Sequence, residues 1–240
     1  MKKLFLVFAV AAMCMVGCKK DDSGNKGNKG DKEKKGDDTE YVAPITIDGD
    51  FADWAKLDAS KIATATLPDG AAKEALKLVK VYADEMYVFV YFEWDKELVE
   101  YNADEFVPFH VYLNCDGDAA TGGFGDQFTD ASIDFLAEGF LTDGEKIVNY
   151  GDGVSCFSWI GKTNGTGWDW EELESGDGLF EGAGVVGKYE LAITRELFPL
   201  GTLADDFTIG FDIQQAWDSV GVLPIGAEGY VASLQVSTNK

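Results

Sequence analysis

The chain has 240 residues, with 20 Lys+Arg against 43 Asp+Glu and one histidine, for a formal net charge of −23. A field of that sign repels polyanions, which argues against nucleic acid and anionic glycans as ligands. The single histidine also excludes a zinc site built on two His ligands.

The chain opens with Lys2 and Lys3, followed by thirteen apolar residues from Leu4 to Val16. A bilayer core needs roughly 20 apolar residues, so the run suits a cleaved signal peptide better than a membrane span. It ends in Met15-Val16-Gly17-Cys18, which resembles the lipobox read by lipoprotein-processing enzymes. Residues 1–17 are therefore expected to be removed and Cys18 to become the acylated first residue, so that the membrane is met through a lipid anchor alone. Lys19-Lys20-Asp21-Asp22 resembles the Lys-then-acidic export signal of surface lipoproteins, which implies an outer-membrane protein displayed on the cell surface. Residues 18–41 carry seven Lys and seven Asp+Glu and no apolar residue between Cys18 and Tyr41. Such a segment cannot bury enough surface to offset its ordering entropy and is expected to be a disordered tether.

Residues 42–240 then hold 11 Lys+Arg against 36 Asp+Glu, a net of −25, and are read as one domain. The excess suits solubility at a crowded surface or cation binding. Cys115 and Cys156 could pair in an oxidising compartment or stay free; spacing does not decide.

The domain shows period-two patterning with frequent Gly and Asp turns and no long helical stretch, which predicts strands. Met86, Val88, Val90 and Phe92 alternate with Tyr87, Phe89 and Tyr91; Val107, Phe109, Val111 and Leu113 alternate with His110 and Tyr112. Ile133 and Phe135 alternate with Ser132, Asp134 and Leu136, and Tyr189, Leu191 and Ile193 repeat the theme. Phe207, Ile209, Phe211 and Ile213 do so against Thr208, Gly210, Asp212 and Gln214. Strands of this kind bury one face against a second sheet, so the expected fold is an all-β antiparallel sandwich. The opposite faces gather Tyr87, Phe89, Tyr91, His110, Tyr112, Asp134, Asp212 and Gln214. They form either an exposed aromatic and polar platform or a second small core under a covering loop.

Ile45-Thr46-Ile47-Asp48-Gly49-Asp50 followed by Asp53-Trp54 resembles the opening of carbohydrate-binding module family nine and the related DOMON-like sandwiches. Val79 to Val88 is similar to that family's first hairpin, and Val111-Tyr112-Leu113-Asn114 through Asp118 to its strand and acidic loop. Tyr189 to Ile193 and Ile209 to Gln214 resemble its last strands, so the likeness runs over roughly residues 44–236 in order. The resemblance implies a jelly-roll-like sandwich that binds glycans without catalysis. Its best-known members clamp a terminal sugar between two Trp residues, and the stretch matching one of them, Tyr101-Asn102-Ala103-Asp104, has no Trp. A family Glu falls at His110 and a family Arg at Asp134, while the strand Gln matches Gln214.

Two local patterns could carry chemistry. Asn114, Asp116 and Asp118 place oxygen side chains at alternate positions of a Gly-rich loop, which could hold a structural calcium ion or could cap backbone amides. Trp159, Trp168, Trp170 and Trp217 lie in or beside Gly-rich polar segments, and flat aromatic faces stack on the C–H faces of sugar rings. Trp168 and Trp217, beside Asp169 and Asp218, are the preferred ligand contacts. The carbohydrate-binding set expected is thus His110, Asp134, Trp168, Gln214 and Trp217. No spacing singles out a pair of catalytic carboxylates, so no enzyme is expected. The function expected is binding of a neutral polysaccharide or oligosaccharide beside glycan-uptake proteins; the alternative is a structural or adhesive protein with a protein-binding face.

Overall fold

The computed structural model describes residues 41–99, 106–123, 132–143, 146–148, 155–173, 180–197, 203–226 and 230–240. Residues 1–17, Cys18, the tether up to residue 40 and Tyr101–Asp104 lie outside the described residues. Among the described residues of 42–240 the protein is all β, in two antiparallel sheets.

The first sheet runs in the order β1 (Ala63–Thr66), β2 (Leu76–Ala83), β3 (Tyr87–Trp94), β10 (Lys188–Thr194), β9 (Phe180–Val185). The second runs β12 (Asp218–Leu223), β11 (Asp206–Gln215), β4 (Phe106–Asn114), β5 (Phe135–Asp143), β7 (Ser155–Trp159), β8 (Trp170–Glu172). β13 (Leu234–Ser237) pairs with the first half of β11, and the short β6 (Lys146–Ile147) with the end of β5. The five alternating segments read from the sequence correspond to β3, β4, β5, β10 and β11. Sequence turns follow the expected chemistry: between β2 and β3, one Asp84 carboxylate oxygen accepts from the amides of Met86 and Tyr87.

The aliphatic faces meet in one core. Val88, Val90 and Phe92 of β3 and Leu191 and Ile193 of β10 join Val107, Phe109, Val111 and Leu113 of β4 and Phe207, Ile209, Phe211 and Ile213 of β11. Rings from both sheets touch: Phe109 lies 6.0 Å from Phe92 and 6.0 Å from Tyr189. That shared interior is what a sandwich requires. Ile133 departs from the expected pairing with Phe135. It precedes β5 and packs on the opposite side, with Tyr112 and Leu136.

The centre of the outward face of the first sheet is covered. Ile45, Ile47, Phe51, Trp54 and Leu57 fold back over Phe89, Tyr91 and Ala192 as a second, smaller core. Phe51 and Trp54 place their rings 5.2 and 5.7 Å from Tyr91. The strap is held by Glu190, which stands in the middle of β10 with no exposed surface. One carboxylate oxygen accepts from the amides of Asp48 and Gly49, at 3.1 and 2.9 Å, and the other from the Trp54 indole N–H at 3.0 Å. Burial pushes this carboxyl upward from its ordinary value and the three donors pull it back, leaving a net rise. On this sheet, then, Tyr91 and Phe89 belong to a covered core and not to a platform.

Glu190→Ala leaves strap donors without their acceptor and is expected to destabilise the domain by about 3 kcal/mol in chemical denaturation. Glu190→Gln, which keeps one acceptor oxygen, is expected to lose less. Equal stability of Glu190→Ala and wild type would show that the strap is held by apolar contacts alone.

Candidate binding surface

The outward face of the second sheet is set by the strand order. β4 turns Pro108, His110 and Tyr112 outward, β5 turns Leu136, Glu138 and Phe140, and β11 turns Asp212 and Gln214. Cross-strand register aligns Asp212 with His110 and His110 with Glu138, and Leu136 with Phe157 of β7.

One half of this face is closed. His110 and Gln214 are each 5% exposed, and Asp212 is buried with them. Most of their polar atoms are paired: Gln214 Nε2 donates to Asp212 Oδ2 at 2.7 Å, Ser219 Oγ donates to Asp212 Oδ1, and His110 Nε2 lies 2.7 Å from Glu138 Oε2, while His110 Nδ1 is buried without a hydrogen bond. His110 Nδ1 faces Asp212 at 3.7 Å, too far for a hydrogen bond. Burial works against a charged ring, but the carboxylates of Asp212 and Glu138 outweigh it and hold the imidazole above its ordinary value. Beside this row, Tyr112 and Val222 are buried with Val231, and Ile225 packs on them. Ile225 and Val231 bridge to each other, so the chain after β12 folds over this part of the sheet. Of the expected contacts, His110 and Gln214 are therefore corrected: they sit on the outward face as predicted, but in a buried polar network.

The other half is open. Phe140, Glu138, Ser155 and Phe157 are partly exposed, and Glu172 of β8 is exposed. Ser155 Oγ donates to Glu172 at 3.1 Å. The two preferred tryptophans stand at the ends of this strip. Trp168 is 55% exposed and Trp217 61%, whereas Trp170 is buried and Trp159 partly so.

Trp168 is placed by the β7–β8 connection. Trp159 anchors that loop by donating its indole N–H to the Lys162 carbonyl at 3.1 Å. Its ring fills a slot with no room for neighbouring side chains: a Cβ added at Gly123 or Gly161 would lie 2.2 or 2.4 Å from it. Trp170 meets Trp159 edge-on at 5.1 Å, and Trp168 meets Phe157 edge-on at 5.5 Å. Three aromatic residues thus support the exposed one.

Trp217 is placed by the two-residue turn between β11 and β12. Ala216 and Trp217 have φ of 50° and 66°, the left-handed region that such turns usually fill with Asn-Gly. For L-residues with a Cβ this costs about 1–2 kcal/mol each. The turn carries the indole to Phe140 on β5, 6.4 Å away and edge-on.

Asp134 does not join this surface. Its Oδ2 accepts from the Cys115 amide at 2.8 Å, beside the Asp116–Asp118 loop. Burial, against that N–H and with the nearby Asp116 and Asp118 charges, pushes its carboxyl up to about 6. Asn114, Asp116 and Asp118 are occupied with backbone amides of their own loop. Asn114 Oδ1 accepts from Gly117, Asp116 Oδ1 from Asp118, and Asp118 Oδ1 from Ala120, each at 2.8 Å. Asp116 also accepts from the Thr121 hydroxyl. Among the described residues no group of three or more His, Cys, Asp or Glu side chains is placed to hold a metal ion. Cys115 and Cys156 are both free and buried; burial pushes the Cys156 thiol up to about 12 and that of Cys115 well above its usual value.

Glu138, Phe140 and Phe157 were not singled out by sequence. The only available signal is their period-two relation to Leu136 and to Trp159. No protein-family model and no curated protein matches the chain.

The raised Asp134 carboxyl sets a pH dependence. Between roughly pH 4 and 6 the folded state keeps a proton that the unfolded chain releases, so this group's contribution to stability falls as pH rises. Asp134→Asn is expected to flatten the stability profile over that range in urea titrations; an unchanged slope would contradict the assignment.

Proposed function

We propose that this chain is a lipid-anchored surface protein whose sandwich binds a neutral glycan without catalysis. The anchoring part rests on the signal-like run and Cys18. The single observation behind the binding part is that Trp168 and Trp217 are each more than half exposed on one sheet face, supported by Phe157 and Phe140. Large aromatic rings are ordinarily taken from water, and two on one face form an apolar surface suited to the C–H faces of sugars. Carboxylates and a hydroxyl between them, from Glu138, Glu172 and Ser155, are acceptors and donors for sugar hydroxyls. The net of −25 over residues 42–240 favours neutral over anionic chains. The likeness of Ile45–Trp54 and the last strands to glycan-binding sandwiches points the same way.

The processed protein is expected to be retarded in native gels that contain neutral polysaccharide. Trp168→Ala and Trp217→Ala, both at exposed positions, are expected to reduce the retardation while leaving the melting temperature nearly unchanged. Blank glycan panels together with recovery of a protein partner in pulldowns would replace this reading with an adhesive or structural role.

A further inference from the structure

We infer that the open strip takes an internal stretch of a polysaccharide chain, lying across both tryptophans, and not a chain end or a single sugar; this rests on the glycan reading above. The register fixes the scale. Phe157 pairs with Leu136, and Phe140 lies four residues further along β5, roughly 14 Å at strand spacing. Trp168 meets the first ring edge-on and Trp217 the last. One sugar covers one ring, so engaging both requires several linked units.

Trp168 and Trp217 are each more than half exposed at the two ends of the strip, the arrangement that a chain continuing past both would use. A terminal-sugar clamp needs two rings facing each other across one residue, and here the two exposed indoles are supported by different strands. Between them lie Glu138, Ser155 and Glu172. These groups can meet hydroxyls along a neutral chain and would repel a carboxylated or sulfated one. The left-handed turn at Ala216-Trp217 makes the second contact pre-set, because the indole is aimed by a two-residue loop with little freedom. Linking two weak ring contacts through one chain raises affinity without any new contact type, provided the chain reaches both.

The test is titration of the full processed protein with size ladders of amylose, xylan and galactomannan oligomers, from single sugars upward, followed by calorimetry. With at least one ladder, affinity is expected to rise steeply once the oligomer spans both rings. Trp168→Ala and Trp217→Ala should each weaken the long oligomers by about 10-fold or more, down to the affinity of the short ones. Chemical blocking of the oligomer ends should leave binding intact. The inference is overturned, with the glycan reading still standing, if single sugars bind as tightly as long chains, if end-blocking abolishes binding, or if one variant keeps full long-chain affinity. Failure of all three ladders to bind would count against both. Wild-type melting temperatures for the variants confirm that a loss is local.

Discussion

The carboxylate of Glu190 ties the segment before β1 to the middle of the first sheet. It is fully buried on the outward side of β10, and it gathers two backbone amides and the Trp54 indole from a segment more than 130 residues away in sequence. That convergence draws Ile45, Phe51 and Trp54 over Phe89 and Tyr91. With the centre of that outer face covered, the two most exposed tryptophans stand on the other sheet.

Much of the fold was legible in the sequence because period-two alternation reports directly which residues share a face. Val88, Val90 and Phe92, or Phe207 through Ile213, could hardly pack in another way. Alternation does not report what lies above a face. Tyr91 and His110 look alike as outward residues between apolar ones, yet one lies under an N-terminal strap and the other in a row of carboxylates. The choice between platform and covered core therefore depended on long-range partners: Phe89, Tyr91, His110, Tyr112, Asp212 and Gln214 are all buried, and the exposed aromatic strip is built from other residues. The exposure of Trp168 was legible because Asn164, Gly165, Gly167 and Asp169 mark a loop, whereas Trp217 follows Gln214-Gln215-Ala216 and has only Asp218 beside it as a turn signal. Asp134 was misplaced by the irregularity that precedes β5: the chain shifts face there, which also sends Ile133 to the outer cluster. Glu190 left one trace, an acid at the centre of an otherwise apolar strand, where burial demands several donors.

The two halves of the second sheet differ in how their polar groups are satisfied. On one half Asp212 is bonded by Gln214 and Ser219 and His110 by Glu138, which engages these groups within the sheet while leaving His110 Nδ1 buried without a hydrogen bond. Glu138 joins the two: it holds His110 on one side and borders the open strip on the other. The strained turn at Ala216-Trp217 stands out beside this order. A backbone that would be easier with Asn-Gly is retained with a tryptophan at its tip, over Phe140.

Covalent footprinting of exposed aromatic and methionine side chains, with and without a neutral polysaccharide, tests the location of the binding surface most directly. Protection of Trp168, Trp217, Phe140 and Phe157, with Met86 and Tyr87 on the strapped sheet labelled as before, is the predicted result. Protection confined to Met86 and Tyr87, or a pattern unchanged at both tryptophans while the polysaccharide is bound, would contradict the assignment of this face.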